Sequence, residues 1–263
     1  MMTCSEATPI VSPSLDSRAA CRHQAGAKEA EATDRPIRIL FLIDHLGALG
    51  GGETSLVRMV RQMPPERVRS FVVTFNPWVS PVLREQLNCP LYVLPLRRTF
   101  GLQAARVASQ IRRLLRSEEI DVVHTFFESS NLWGGLVCKL GGGPLLVSSR
   151  RDMNILRKSG KHRLGYAVVN RICDRVLTVS EAVRQLCIRE EQLPPHKVVT
   201  LYNGVDLERI SAVPLDWQLR QRLGFGPGDP IIASVANVRR VKGLDTLVKS
   251  APTTCSAMFS CWA

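Results

Sequence analysis

The chain has 263 residues, of which 45% are hydrophobic, and carries a formal net charge of +12 at pH 7. This length and hydrophobic content are sufficient for one large or two smaller globular domains with a real core. The positive charge favours contact with anions, namely nucleic acid, an acidic membrane surface or phosphorylated small molecules, without choosing among them.

The eight cysteines form no Cys-x-x-Cys pair, and no histidines cluster with metal-ligand spacing. This predicts reduced, buried or incidental thiols in a cytoplasmic protein rather than a disulfide framework. No run of about 18 apolar residues is present, so no membrane-spanning helix is expected. The start, MMTCSEATPIVSPSLDSR, lacks the basic end and apolar stretch of a secretory signal.

Four segments of different character divide the chain. Residues 1–36 are rich in Ala, Ser, Thr, Pro and charge, and we expect a disordered leader because they bury too little apolar surface to offset ordering entropy. Residues 37–210 are predicted to form the main folded domain. Residues 211–251 begin a second domain, and 252–263 are an aberrant tail that continues no pattern.

Strands and helices are predicted to alternate along the main domain. The apolar run IRILFLI (Ile37–Ile43) predicts a buried parallel strand, and GETSLVRMVRQM after it has apolar residues at helical spacing. Further strands are predicted at VRSFVVTF, PLYVLPL, IDVVHTF, PLLVSS, DRVLTVS and KVVTLYNG. Further helices are predicted at VSPVLREQL, LQAARVASQIRRLLRSEE, SNLWGGLVCKLG, HRLGYAVVNRIC and EAVRQLCIRE. This alternation predicts an α/β domain with a doubly wound parallel sheet.

The second unit is predicted to start after Asp206. A helix in DWQLRQRLGFGPGDP is followed by a strand at IIASVANV and a helix that opens at KGLDTLVKSA. One strand and one helix cannot form a stable sheet alone, so we expect an incomplete second Rossmann-like domain.

Three consecutive glycines, Gly50–Gly52, and Glu53 come where the first strand gives way to the first helix. Ligands of doubly wound sheets bind beyond the carboxyl ends of the strands, and glycines there let backbone N–H groups approach an oxyanion. The spacing fits neither the dinucleotide-binding nor the P-loop pattern. The run alone therefore leaves a tight turn and a ligand loop as alternatives, and Glu53 also suits the helix dipole.

Further polar residues are predicted at other strand ends, and several would converge on one crevice. The residues are His124, Glu128, Arg150, Arg151, Asp152, Ser180 and Asn203. Several have a simpler structural explanation: His124 as a partly buried histidine, Arg150 and Arg151 as a solvated pair, Ser180 as a helix N-cap and Asn203 as part of an Asn-Gly turn.

Taken together and in order, GGGE, DVVHTF, DRVLTVSEAVRQ, VVTLYNGVDLERI and SVANVRRVKGLDTLVKSA resemble the family 4 type glycosyltransferases of the GT-B fold over about residues 37–251. The resemblance implies two Rossmann-like domains across a cleft, the first receiving the acceptor and the second holding a nucleotide-diphosphate sugar. It implies a retaining transferase that needs no metal and no cofactor beyond the donor substrate. The acceptor would be a glycan or a lipid-linked molecule.

Residue roles follow from the same resemblance. Gly50, Gly51 and Gly52 would approach the donor diphosphate together with Lys242. Arg239 would take the place of an arginine that is common in the family pattern and missing from its usual position here. His124 matches a family histidine and is the catalytic candidate. The acceptor-cleft candidates are Glu53, Glu128, Arg150, Arg151, Asp152 and Asn203.

The family's E-x7-E element does not occur in its expected context, so we expect a truncated and inactive transferase. The alternative is a non-catalytic remnant that binds an anion or a membrane surface. A basic membrane or nucleic-acid binder is also considered, because the helix predicted at 102–116 is rich in arginine. Aromatic residues are only 6% and do not interleave with it, so no nucleic-acid partner is expected. A peripheral position at the inner face of the membrane is favoured, and no oligomeric state is predicted.

Overall fold

A computed structural model describes most of the chain from Arg35 to Thr254. The described residues are 35–47, 50–140, 143–151, 160–212, 216, 218–226, 228–229, 231–236, 238 and 242–254. Two compact units are present, Met1–Gly204 and Val205–Ala263. Within the described ranges, no helix combines the length and apolar character needed to cross a membrane.

The first unit is built on one sheet of seven parallel strands, which confirms the predicted α/β doubly wound class. The strands are ordered β3-β2-β1-β4-β5-β6-β7 across the sheet. Their bounds are β1 Ile37–Ile43, β2 Val68–Thr74, β3 Leu91–Val93, β4 Val122–Phe126, β5 Leu145–Arg150, β6 Arg175–Thr178 and β7 Val198–Thr200.

Helices cover both faces of this sheet. Their bounds are α1 Gly51–Gln62, α2 Pro81–Gln86, α3 Leu102–Ser117, α4 Gly135–Lys139, α5 Gly160–Ile172 and α6 Glu181–Glu190. A π-helical turn, Ser130–Gly134, leads directly into α4, and both lie within the helix predicted at SNLWGGLVCKLG, whose π geometry was not expected. A short 3-10 turn, Pro195–Lys197, precedes β7.

The central strand β1 contributes to two separate cores because its side chains alternate between the faces. Leu40 and Leu42 pack in a cluster with buried residues of α3, α4 and α6. Phe41 and Ile43 pack on the other face, in a cluster with buried residues of α1 and α2. This burial on both faces explains why a continuous apolar run forms the middle of a parallel sheet.

Two predictions that bear on strand ends near the site differ from the structure. Strand β5 continues through Arg150, one residue beyond the predicted PLLVSS segment. The predicted Asn203–Gly204 turn is absent, because residues 201–206 adopt no regular structure or turn. The side chain of Asn203 instead accepts hydrogen bonds from Ser55 and Arg151. All four described cysteines are free thiols, as expected.

The second unit contains α7 (Leu207–Ser211), α8 (Leu219–Arg222) and α9 (Leu244–Thr254). The strand predicted at IIASVANV is not formed over the described residues 231–236, which carry no regular structure. The physical reason is that a strand needs a hydrogen-bonded neighbour, and the described residues of this unit supply no second strand. Ile232 is 72% exposed, in keeping with an unpaired segment.

Candidate functional site

The strand order places a crevice at the carboxyl ends of β1 and β4. The chain leaves β1 toward β2 on one side, whereas it leaves β4 toward β5 on the other. Loops that diverge in this way leave a gap at the topological switch point, which is the usual ligand position in such sheets. Gly50–Gly52 follow β1, and Phe127 and Glu128 follow β4, so two of the predicted groups meet there.

Asp44, the first residue after β1, ties the two sides of this crevice together. Its Oδ2 accepts a hydrogen bond from the Ser129 amide at 2.8 Å, and its Oδ1 accepts from the Ser130 amide and hydroxyl, both at 2.6 Å. The carboxylate thereby satisfies amides at the start of the π-helical turn, where a negative charge is favourable. Asp44 was not among the predicted site residues, although an acidic residue at the end of a buried strand was the available signal.

His45 and Glu53 form an ion pair beside Asp44. His45 Nδ1 lies 3.0 Å from Glu53 Oε1, and the Glu53 side chain is only 5% exposed. The His45 ring stacks on Phe127 with centroids 4.9 Å apart. The hydrogen bond to Glu53 raises the pKa of His45 above its ordinary value, against the opposing effect of partial burial. His45 was not among the predicted site residues, because nothing in its sequence context marked it.

The three glycines differ in what surrounds them. Gly50 is the N-cap of α1 and, as a glycine, offers no side-chain acceptor to the first backbone N–H groups of the helix. A Cβ atom on Gly51 would meet nothing within 4 Å, whereas one on Gly52 would lie 2.4 Å from Phe127 Cζ. Phe127 itself has a φ of 67°, which is unusual for a non-glycine residue. The helix start is thus closely packed on one side and open on the other.

His124 lies inside the sheet rather than at its open edge. It is 7% exposed, its Nε2 lies 2.8 Å from Ser149 Oγ, and its ring packs near Phe126 at 4.5 Å. Burial lowers the pKa of His124 to about 3, with a smaller contribution from the nearby Arg151 charge. The imidazole is therefore neutral at physiological pH and is a weak proton acceptor.

We expect the buried neutral state of His124 to weaken the fold in acid. The unfolded chain binds a proton on this residue near pH 6.5, whereas the folded pKa is about 3. Stability is therefore lost as pH falls from about 6.5, by about 1.4 kcal/mol per pH unit. In urea unfolding, wild type is therefore expected to lose stability relative to His124→Gln with this slope as the pH falls from about 7 to about 5. A stability difference between wild type and His124→Gln that stays constant over this pH range would contradict the assignment.

Arg150 lies in the core and not in the crevice. It is 1% exposed, and its guanidinium donates to Ser148 Oγ at 2.5 Å, to Asn170 Oδ1 at 2.8 Å and to Glu191 Oε1 at 3.2 Å. The ring of Tyr166 lies 4.5 Å from its Cζ. Because β5 continues through position 150, this side chain shares the inward face with Ser148. The described contacts of Arg150 are structural, and they place it away from the acceptor-cleft position predicted from sequence.

Arg151, one residue later, points to the crevice. Its Nη2 donates to Asn203 Oδ1 at 2.8 Å, and the same oxygen accepts from Ser55 Oγ at 3.0 Å. These bonds join α1, the end of β5 and the segment after β7. The guanidinium also lies 5.4 Å from the Phe126 ring centroid. Burial lowers the pKa of Arg151, an effect that the charge of Glu53 opposes.

The other predicted residues have different positions. Glu128 is half-buried after Phe127. Asp152 and Arg239 lie outside the described residues, and Lys242 is an exposed residue of the second unit.

A pocket of about 310 Å³ opens beside Asp44 at the same edge of the sheet. Ser129, Asn76 and Arg97 add polar groups to its wall, and Phe75 and Leu96 are among its apolar residues. These residues follow β1, β2, β3 and β4, so only the strand order brings them together. None of them was among the predicted site residues.

A doubly wound sheet with a glycine-rich helix start at its switch point defines a Rossmann-like domain of the kind found in GT-B proteins. The chain belongs to Glycosyltransferase Family 4, whose model matches residues 49–209. A curated relative, the UDP-Gal:alpha-D-GlcNAc-diphosphoundecaprenol alpha-1,3-galactosyltransferase of Escherichia coli, is 25% identical over 116 residues. That match covers 42% of this chain and 30% of the relative.

Solved structures share the fold. Alr3699/HepE of Anabaena in complex with UDP superposes with a TM-score of 0.55 at 22% identity, covering 72% of this chain and 50% of that one. A glycosyltransferase from Rickettsia africae superposes with a TM-score of 0.62 at 14% identity, covering 82% of this chain and 56% of that one. The chain thus spans about half the length of these structures.

Proposed function

We propose that this chain carries the acceptor-side domain of a retaining, metal-independent glycosyltransferase that uses a nucleotide-diphosphate sugar. The observation that carries the proposal is the convergence of Gly50–Gly52, the His45–Glu53 pair and the Arg151–Asn203 bond near one switch point, in a chain of family 4. The Anabaena relative was solved with UDP and with UDP-glucose, which supports this donor class.

In this proposal, the open side of the α1 start serves the donor. Backbone N–H groups of Gly51 and Gly52 would face the diphosphate as negative charge develops on the leaving group, and preorganised donors of this kind stabilise such charge strongly. Lys242 and Arg239 are proposed as the cationic groups of the donor-binding part. Asp152, Glu53, Glu128, Arg151 and Asn203 remain the acceptor-side candidates.

The acceptor is proposed to be a glycan or a lipid-linked molecule. The name of the Escherichia coli relative specifies a diphosphoundecaprenol-linked acceptor, and the net charge of +12 suits an anionic membrane surface. We therefore propose a peripheral position at the cytoplasmic face of a membrane.

Chemical-shift mapping on the 263-residue chain tests the acceptor-side role. A GlcNAc-diphosphate lipid with a short chain is expected to shift the amide signals of the acceptor-side candidates Glu53, Arg151 and Asn203, and GlcNAc alone is the matched control. A titration that leaves these signals unmoved contradicts the proposal.

Turnover is a separate measurement. We expect no sugar transfer from UDP-sugars by residues 1–263 alone, because the described residues after Val205 form no sheet to hold a donor. Observed transfer would establish the transferase and reject the expected inactivity.

A second candidate is a non-catalytic protein that binds anions or a membrane surface. The lack of a strand over residues 231–236 favours it. Calorimetric titration with UDP separates the two candidate functions when it is combined with the chemical-shift titration. Weak UDP binding together with amide shifts caused by the acceptor supports the acceptor-side role. Anion binding without such shifts supports the second candidate.

A further inference from the structure

We infer that one stripe of helix α3 docks the domain on an anionic lipid bilayer. This outward stripe consists of Leu102, Arg106, Ser109, Arg113 and Arg116, which follow one another at spacings of four, three, four and three residues. Residues at these spacings lie along one side of a helix. All five are exposed, so this is the solvent side of α3.

The opposite side of α3 is anchored in the core. Ala104, Val107 and Ile111 are at most 4% exposed, and the last two belong to the cluster that includes Leu40 of the central strand. The helix is therefore fixed with its outward stripe facing away from the sheet. Fourteen residue steps separate Leu102 from Arg116, so at 1.5 Å per residue the stripe is about 21 Å long. This length is enough to cross several lipid headgroups.

The charge along the stripe has one sign, and acidic residues, Glu118 and Glu119, begin only where α3 ends. Residues 97–117 include six arginines and no aspartate or glutamate. In the part of the chain that the structure describes, Arg106, Arg113 and Arg116 form no ion pair. A run of unneutralised guanidinium groups is complementary to the phosphates of anionic lipids, and each such group near the surface strengthens binding about fivefold.

Exposed apolar side chains lie at one end of the stripe. Phe100 is 73% exposed and Leu102 is 82% exposed, immediately before and at the start of α3. Large apolar groups beside a basic surface favour the interface of a bilayer, where they enter the acyl boundary while the cations meet headgroups. This combination favours a lipid surface over a soluble polyanion, for which exposed apolar residues add nothing.

The position of this end connects the stripe with the candidate site. Helix α3 follows β3, so Phe100 and Leu102 lie at the edge of the sheet where the strands end. Arg97, three residues before Phe100, lines the pocket that also contains Asp44. A bilayer under the outward stripe would thus present a lipid-linked acceptor close to that pocket, an inference that rests on the proposed function.

Vesicle sedimentation of the full chain tests the inference. The protein is expected to bind vesicles of phosphatidylcholine with about 30% phosphatidylglycerol, to bind pure phosphatidylcholine weakly, and to be released at about 0.5 M salt, where surface charges are screened. The triple variant R106Q/R113Q/R116Q should bind about 100-fold more weakly, from about fivefold per arginine. F100S/L102S should weaken binding about tenfold at unchanged salt dependence.

The matched control removes the same charge from the other side of the domain. R58Q/R61Q/R84Q also lowers the net charge by three, but α1 and α2, which carry these residues, cover the opposite face of the sheet, so binding should fall only a fewfold. Equal loss in both triple variants, or no binding of wild type to anionic vesicles, overturns the inference. Thermal melts of each variant verify folding. Vesicle binding requires no sugar transfer, so failure here and failure of the proposed function remain distinguishable.

Discussion

Replacing Glu191 with alanine is expected to lower the free energy of unfolding by about 3–5 kcal/mol, because it leaves a buried cation without its counter-ion. Arg150 is 1% exposed, and the Glu191 side chain that pairs with it is 6% exposed. Burial alone would lower the pKa of Arg150, yet the Glu191 and Tyr166 contacts raise it above its ordinary value. Because a guanidinium is not deprotonated in proteins, Arg150 stays charged in the variant even without Glu191 and has to be accommodated in the core. Urea unfolding at neutral pH measures the loss.

Two further variants separate the buried charge from general effects at this position. Glu190→Ala removes an exposed carboxylate one residue earlier and should change stability by less than about 0.5 kcal/mol. Arg150→Met combined with Glu191→Leu removes both charges and should recover part of the loss. Recovery is incomplete because Asn170, which donates to Glu191 and accepts from Arg150, loses both partners. A Glu191→Ala loss no larger than that of Glu190→Ala contradicts this account.

The sheet could be predicted from sequence because its strands are short apolar runs separated by helical periodicity. IRILFLI and EAVRQLCIRE coincide with β1 and α6 as the structure has them. Ser180 was expected as a helix N-cap, and its side chain accepts from the Val183 amide. Each of these features depends on local sequence alone. The strand expected at 231–236 depended on pairing with other strands, which local sequence does not report, and that prediction was wrong.

The candidate site could be predicted only as a neighbourhood. Parallel strands end at one edge, so Gly50–Gly52 and Arg151 were expected near each other from their chain positions. The direction of a side chain depends on the last residue of its strand, and one extra residue in β5 turns Arg150 into the core. The pairing of His45 with Glu53 and the Asp44 bonds depend on loop geometry. No spacing rule in the sequence specifies these contacts.

Replacing Gly52 with alanine is expected to destabilise the domain by about 1–3 kcal/mol, the usual cost of overpacking. The new Cβ atom would lie 2.4 Å from Cζ of Phe127, an aromatic ring that also stacks on His45. The ring has to move, so the pKa and NMR signals of His45 should change as well. Urea unfolding and a His45 titration measure the two effects.

The neighbouring glycines provide the controls, and their order of stability distinguishes a packed loop from a flexible one. Gly51→Ala adds a Cβ in open space and should stabilise the domain by about 0.5 kcal/mol through the unfolded state. Gly50→Ala would bring its Cβ within 2.4 Å of Glu53 Oε2, the end of a side chain that can shift only by loosening its pair with His45. We therefore expect Gly51→Ala to be most stable, Gly50→Ala intermediate and Gly52→Ala least stable. Equal changes in stability for all three variants would mean that the glycines form a flexible turn. The expected order means instead that the packing of Phe127 and Glu53 fixes the start of α1 and leaves its Gly51 side open for a ligand.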